Sequence, residues 1–88
     1  MRQAAYNVSK AGLVSLTASI ARDYHLKGVT ANVLLPSIID TPANRSSMPD
    51  GKTSRWVKPE DLAETMLFLC SDAAASINGA AIPVYGGV

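Results

Sequence analysis

Cysteine, long apolar runs and clustered charge are what this sequence lacks. A single cysteine allows no internal disulfide bond and no thiolate metal site, so no metal-ligand set is expected. The formal net charge is only +1 and the basic residues are scattered, which argues against a dedicated binder of nucleic acid or of a membrane surface. No apolar run approaches the length needed to cross a bilayer, so no membrane span is expected.

What remains is the composition of a globular protein. Apolar residues make up 48% of the chain, so disorder throughout is not expected. The 88 residues allow one small domain with a modest core. The first residues run straight into a predicted helix and do not resemble a secretory signal, so a cytoplasmic location is the default expectation.

The apolar pattern predicts a first helix over residues 3–27. Four apolar residues spaced three, four and four apart form its expected buried stripe: Leu13, Leu16, Ile20 and Tyr24. Gly12 inside this helix indicates the close approach of another backbone. Gly28 is the expected left-handed stop.

A short, β-branched and nearly continuous apolar run follows at residues 29–36. It is too short for a helix, and it predicts a strand buried on both faces of a parallel sheet. Residues 37–57 then show little periodicity and contain several turn-forming residues. A loop of this length is either functional or disordered. Because Met48 and Trp56 give it apolar anchors, we predict a lid over a substrate site, with a flexible surface loop as the alternative.

A second helix is predicted to begin at Pro59, because proline favours the first helical position and two acidic residues follow it. Its inner stripe is expected to contain Leu62, Met66, Leu69 and Cys70, widened by Leu67 and Phe68. A last strand is predicted over residues 80–85, and Pro83 places it at a sheet edge. The predicted order is helix, strand, loop, helix, strand, which gives an α/β fold with two parallel strands joined by a right-handed crossover.

This set of elements is too small for a complete sheet. Two strands do not form a sheet that is stable alone, and a parallel sheet needs cover on both faces. The sequence therefore predicts part of a larger α/β domain. We expect the isolated chain to be weakly stable, oligomeric or prone to aggregation.

The pentapeptide YNVSK carries the clearest chemical signal in the sequence. Residues four apart lie on one face of a helix, so Tyr6 and Lys10 point the same way. An ammonium beside a phenol favours the phenolate, which makes the pair suitable for proton transfer. An ordinary exposed helix pair is the alternative interpretation.

Three stretches extend this signal: YNVSKAGLVSLTASIARDY, then VTANVLLPSIIDTP, then VKPEDLAETMLFLCSDAAASINGAAIPVYGG. They contain a Tyr-x-x-x-Lys helix, a strand that ends in a proline turn with a threonine five residues after the proline, and a terminal Gly-Gly. Over nearly its whole length, the chain resembles the carboxy-terminal half of a short-chain dehydrogenase/reductase. The loop and helix start at residues 41–63 are also similar to the branch of that family that includes dihydropteridine reductase.

The resemblance implies a partial Rossmann-like, doubly wound fold in which residues 1–88 form one carboxy-terminal part of a dinucleotide-binding oxidoreductase domain. It implies hydride transfer between NAD or NADP and a carbonyl or alcohol substrate. Tyr6 would give or take the proton at the substrate oxygen, and Lys10 would hold the nicotinamide ribose. The turn after the first strand would hold the carboxamide through its backbone and the Thr41 hydroxyl. The implied cofactor-binding residues are Tyr6, Lys10, Pro36, Ser37, Ile38, Ile39 and Thr41.

The sequence also departs from the family pattern. No glycine cluster precedes Tyr6, and neither the residue that selects NAD or NADP nor the catalytic serine expected upstream of the tyrosine is present. Ser37 replaces the usual glycine of the proline turn, and Tyr85 stands where an acidic residue is common. Without a pyrophosphate site, nearly all cofactor affinity of the isolated chain should be missing, and no useful dehydrogenase activity is expected.

Two functions therefore stay open at this point. The chain is either a fragment of an oxidoreductase, inactive alone, or a non-catalytic interaction or oligomerisation module derived from that family. The resemblance supports the second because the tyrosine-bearing helix of the family commonly lies in a subunit interface. The expected partners are a second copy of the chain or a missing amino-terminal half.

Five further residues have structural interpretations. Cys70 is predicted to be a small buried apolar group and His25 a solvated residue at a helix end. Trp56 is predicted to anchor the lid by packing, with stacking on a substrate as the alternative. Arg45 and Arg55 are predicted to be solvated loop charges, with binding of an anionic substrate group as the alternative.

Overall fold

Two parallel strands organise the chain, as the sequence predicts. The computed structural model describes residues 3–87. The helices and strands are α1 (Gln3–Tyr24), β1 (Val33–Pro36), α2 (Pro42–Ser47), α3 (Pro59–Leu69) and β2 (Ala81–Val84). Single 3-10 turns occupy His25–Lys27, Thr53–Arg55 and Asp72–Ala74. The first helix ends at Tyr24 and continues only as a 3-10 turn, and Gly28 closes it with a φ of 74°, as predicted.

The sheet joins β1 to β2 in parallel, with Val33 opposite Ala81 and Pro36 opposite Val84. The Val33 N–H donates to the Ala80 carbonyl at 2.9 Å, and further along the ladder the Ser37 N–H donates to the Val84 carbonyl at 3.1 Å. Residues 80 and 84 thus face β1, so the odd-numbered Pro83 turns its nitrogen away from the ladder. This arrangement places Pro83 at an edge, as predicted.

The first strand is shorter than the predicted run at residues 29–36, because other groups take the backbone of the preceding residues. The Ala31 N–H donates to Asn78 Oδ1 at 3.0 Å, and the Asn78 side-chain amide donates to the Ala21 carbonyl at 3.0 Å. The Gly79 N–H donates to the Ala31 carbonyl at 2.7 Å. Asn78 therefore fastens the end of α1 to the entrance of β1.

The buried face of α1 differs from the predicted stripe. Its two buried residues are Thr17 and Ala21, whereas Leu13, Leu16 and Tyr24 are about half exposed. The buried residues of α1 are thus small ones, and most of the larger stripe stays exposed. The predicted backbone contact at Gly12 is also wrong among the described residues, since nothing lies within 4 Å of a Cβ built there.

Helix α3 begins at Pro59 as predicted, but most of its predicted inner stripe is exposed. Only Leu62 is buried, and Met66 is 53% exposed. Cys70 is exposed, so the prediction of a buried cysteine is wrong. The cause is an open cleft of about 490 Å³ beside β1, which Met66, Leu69 and Cys70 line together with residues 30–34.

The predicted long irregular loop, residues 37–57, contains more structure than expected. Thr41 caps α2 by accepting a hydrogen bond from the Asn44 N–H at 3.1 Å, and Pro42 occupies the first turn. A single parallel bridge then joins Ile39 to Val57. Trp56 and Val57 are buried at 6% and 2% exposure, which confirms the packing role predicted for Trp56.

The molecule exposes more surface than a closed domain of its size. Its radius of gyration is 15.2 Å, against about 12 Å for a compact 88-residue domain. Its accessible surface is 6608 Å², against about 4,900 Å² for a folded monomer of 9.2 kDa. Across residues 3–87, none of the helices has both the length and the apolar character to pass through a bilayer.

Candidate functional site

Tyr6 and Lys10 stand together on the early turns of α1. The Lys10 ammonium lies 5.4 Å from the centroid of the Tyr6 ring, within the range of a cation–π contact. Tyr6 is 57% exposed, so its hydroxyl is open to a ligand. Ser9 lies between them in sequence, and its hydroxyl donates a hydrogen bond within α1 to the Ala5 carbonyl at 2.9 Å.

A cleft of about 470 Å³ brings this pair to the turn that follows β1. Its lining residues are Tyr6, Lys10, Pro36, Ser37, Ile38, Ile39, Asn44 and Met48. Six of the seven predicted site residues therefore share one cleft. The cleft lies at the carboxyl end of β1, which is where open parallel sheets bind their ligands.

Hydrogen bonds to Val57 on one side of the turn determine where the backbone groups of Ile39 point. The Val57 N–H donates to the Ile38 carbonyl at 2.8 Å, and the Asp40 N–H donates to the Val57 carbonyl at 2.7 Å. Because successive residues of an extended segment alternate sides, the backbone groups of Ile39 point away from Val57. On that side the Asn44 side-chain amide donates to the Ile39 carbonyl at 2.8 Å.

Ser37 and Thr41 are already engaged within the chain. The Ser37 N–H belongs to the sheet ladder, and the Ser37 hydroxyl donates to the Tyr85 carbonyl at 2.9 Å. Thr41 is the predicted site residue that does not line the cleft, and its hydroxyl oxygen caps α2. The Thr41 O–H hydrogen stays available, because a hydroxyl can accept and donate at once.

Asn44 and Met48 also line the cleft; the sequence reasoning missed Asn44 and predicted Met48 only as an apolar anchor of the lid. The Thr41-Pro42 pair was the available signal for Asn44. A threonine cap followed by proline predicts a helix that starts at residue 42, and a cap side chain bonds the N–H of the third helical residue, which is Asn44. Met48 follows the same short helix, and its N–H donates to the Asn44 carbonyl at 2.9 Å.

Asp40 and Arg45 form a two-point ion pair beside the turn. Arg45 Nε lies 2.6 Å from Asp40 Oδ1, and Arg45 Nη2 donates to Asp40 Oδ2 at 2.9 Å. The hydrogen bond from Arg45 lowers the pKa of the Asp40 carboxyl, and the same contact raises the pKa of the Arg45 guanidinium. The Arg45 side chain is 57% exposed, as predicted for a solvated charge, and its guanidinium is paired with Asp40.

The terminal Gly-Gly packs on the end of the loop. Gly86 has a φ of 66°, and a Cβ there would lie 2.7 Å from the Arg55 carbonyl oxygen. The Gly87 N–H donates to that same oxygen at 3.1 Å. The preceding Tyr85 lines a smaller depression, of about 150 Å³, with Tyr6, Lys10, Leu35 and Pro36.

A separate cleft of about 370 Å³ lies at the other end of β1, and its lining includes His25, Cys70 and Asp72. His25 Nδ1 is hydrogen-bonded to the Arg22 carbonyl at 2.8 Å. Within residues 3–87, no three His, Cys, Asp or Glu side chains are placed to hold a metal ion.

Comparisons with known proteins match nearly the whole chain. The family profile described as Enoyl-(Acyl carrier protein) reductase matches residues 1–88. Galactitol 2-dehydrogenase of Rhizobium johnstonii is 39% identical over 95 residues, which cover 97% of this chain and 37% of the relative. The chain thus spans well under half the length of this relative.

Solved structures share the fold of this chain. A short-chain type dehydrogenase/reductase from Mycobacterium ulcerans has a TM-score of 0.84 at 29% identity, over 94% of this chain and 34% of that one. A 4-hydroxyisoleucine dehydrogenase, solved as a complex with NADH, has a TM-score of 0.78 at 29% identity, over 96% of this chain and 39% of that one. The similarity of the loop to the dihydropteridine reductase branch stays a prediction. The matching profile, the relatives and the shared fold together show that this chain belongs to the short-chain dehydrogenase/reductase family.

Proposed function

We propose that this chain provides the proton-transfer and nicotinamide-ribose part of an oxidoreductase site that interconverts a carbonyl and an alcohol. The observation that carries the proposal is the single cleft that Tyr6 and Lys10 share with the turn at residues 36–39. Residues far apart in sequence meet there at the carboxyl end of a parallel strand. Membership of the family supports the same reading.

The residues of the cleft fit the nicotinamide half of NAD or NADP. Lys10 supplies a cation and three N–H donors for ribose hydroxyls, and the Ile39 N–H faces away from Val57 as a donor for a carboxamide. When bound, the nicotinamide gives or takes the hydride. Thr41 does not line this cleft, so the contact of its hydroxyl with the carboxamide stays a prediction from the family resemblance.

Tyr6 is the proposed proton-transfer residue. Its exposed hydroxyl would donate to the substrate oxygen during carbonyl reduction and accept the proton during alcohol oxidation. The Lys10 ammonium lies 5.4 Å from the centroid of this ring, so it keeps a positive charge beside the proposed proton donor. The segment at residues 37–57 would close over the substrate, with Ile38 and Met48 as its apolar contacts.

The sequence contains no glycine-rich turn ahead of Tyr6 that could hold the pyrophosphate of the cofactor. Its first glycine is Gly12. We infer that residues outside this chain hold the pyrophosphate, and that the chain alone binds dinucleotides weakly and turns over no substrate.

Reduced nicotinamide mononucleotide tests the proposal because it carries the nicotinamide and its ribose without the adenylate. In the parent chain, a titration followed by amide NMR shifts should move the signals of Lys10 and Ile39. We expect Lys10→Met to weaken this binding at least tenfold, since a charge-assisted hydrogen bond contributes about 1.5–3 kcal/mol. A parent chain whose signals do not move at millimolar ligand would end the proposal.

The chain offers a matched control for this substitution. The Lys27 ammonium lies 5.9 Å from the centroid of the Tyr24 ring, a similar cation–π pair that does not line the cleft. Lys27→Met should leave the binding of reduced nicotinamide mononucleotide unchanged. Equal losses in both variants would show that binding follows total charge and not the cleft.

A second candidate, an interaction module, is favoured by the exposed apolar surface. The accessible surface exceeds that of a closed monomer by about 1,700 Å², roughly twice what one partner buries in a standard interface. A partner can cover part of this excess, and this is the observation that favours an interaction module. Sedimentation velocity on the isolated chain should show concentration-dependent association. A monodisperse monomer with a sharp, cooperative unfolding transition would count against this candidate.

A further inference from the structure

We propose that Asn44 is the positioning residue of the cleft, because it holds the turn at Ile39 in the orientation that presents the Ile39 N–H to a ligand. This inference rests on the proposed function, since the ligand is the nicotinamide carboxamide. It concerns a residue outside the Tyr-x-x-x-Lys pair and outside the turn itself.

The contacts of Asn44 reach both sides of Asp40. Its side-chain amide donates to the Ile39 carbonyl at 2.8 Å, and its backbone N–H donates to Thr41 Oγ1 at 3.1 Å. Its own carbonyl accepts the Met48 N–H at 2.9 Å, which continues α2. One half-buried residue thus joins the turn, the helix cap and the lining of the cleft.

The hydrogen bond from Asn44 to Ile39 lies on the opposite side of the turn from the hydrogen bonds of Val57. The Val57 backbone holds Ile38 and Asp40 from one side, at 2.8 Å and 2.7 Å, while the Asn44 amide holds Ile39 from the other. With both sides held, the backbone of Ile39 cannot rotate without breaking a hydrogen bond. With the Ile39 carbonyl occupied, the Ile39 N–H is the backbone donor that this residue offers on the cleft side.

Only some side chains can donate this hydrogen bond to the Ile39 carbonyl from position 44. The contact with Ile39 requires an N–H donor, which an ionised carboxylate lacks, whereas the contact with Thr41 uses the backbone and survives substitution. Asn44→Asp therefore removes the hold on Ile39 and keeps the helix cap. Asn44→Gln keeps an amide donor on a longer side chain and should restore part of the effect.

The test compares Asn44→Asp, Asn44→Ala and Asn44→Gln with Ser47→Ala. Ser47 belongs to the same helix, and its hydroxyl donates to the Ala43 carbonyl at 3.0 Å, away from the cleft. Amide hydrogen exchange at Asp40 and Val57, whose N–H groups are hydrogen-bonded at the turn, reports the turn, and titration with reduced nicotinamide mononucleotide reports ligand binding. We expect the Asp and Ala variants to exchange faster at these two amides than the parent. We expect them to bind reduced nicotinamide mononucleotide about fivefold to tenfold more weakly, which is the factor that corresponds to the loss of one hydrogen bond. The Ser47→Ala control should match the parent.

Each outcome separates the inference from the function on which it rests. A parent chain that does not bind the probe overturns the proposed function, and the exchange data still decide whether Asn44 holds the turn. If Asn44→Asp exchanges and binds like Ser47→Ala, the positioning role is refuted. If exchange rises evenly over residues 37–57 while affinity is unchanged, Asn44 serves the stability of the loop alone, and the inference fails.

Discussion

Gly51→Ala tests how tightly the loop at residues 37–57 is packed. A Cβ at Gly51 would overlap the Cζ2 atom of the Trp56 ring and would lie 3.1 Å from the Met48 carbonyl oxygen. The ring is only 6% exposed, so it cannot swing aside without breaking its other contacts. Overpacking of this kind costs about 1–3 kcal/mol. For a domain of this size, each kcal/mol corresponds to about 4–8 °C in Tm.

Tryptophan fluorescence is the assay of choice, because Trp56 is the only tryptophan in the sequence. We expect the emission of Gly51→Ala to shift to longer wavelength at room temperature and its denaturation midpoint to fall. Gly12→Ala is the matched control, since nothing lies within 4 Å of a Cβ built at Gly12. Alanine in a helix interior should stabilise the chain by about 1 kcal/mol relative to glycine. Equal emission and stability in Gly51→Ala and the parent would refute the packing described for this loop.

Two further predictions concern polar contacts. Because the folded-state pKa of Asp40 is lowered, the stabilisation from its pair with Arg45 is present above the ordinary carboxyl value of 3.8 and is lost as the pH falls through the lowered value. Asp40→Asn should remove this acid-sensitive step from a pH titration of α2 amide signals, and a step that persists would assign it to another group. Asn78→Ala should cost about 1–3 kcal/mol, because the Ala31 N–H and the Ala21 carbonyl both lose their partner. An unchanged denaturant midpoint would show that water replaces both bonds.

The sequence predicted elements better than it predicted their buried faces. Proline at position 59 and glycine at position 28 act through local backbone sterics, so they marked a helix start and a helix end correctly. The burial of a helix face depends on which other element packs against it, and the periodic pattern of α1 does not identify that face. Thr17 and Ala21 are buried in place of Leu13 and Leu16 for this reason.

For the candidate site, too, local geometry was predicted correctly and contacts between elements were not. The four-residue spacing of Tyr6 and Lys10 is a property of any helix, so their proximity could be predicted, and the structure confirms it. Asn44 was missed because its contact with Ile39 depends on a short helix inside a segment that looks irregular. Cys70 was misassigned because the cleft beside β1 stays open.

The sequence alone determined the parallel α/β order, the tyrosine–lysine pair and the turn after the first strand, because short-range geometry and residue chemistry specify each of them. Only the tertiary structure decided that the turn meets the pair in one cleft and that Asn44 and Val57 hold Ile39 from opposite sides. These contacts join residues from separate elements, and their distances follow from how the elements pack, which no local pattern records.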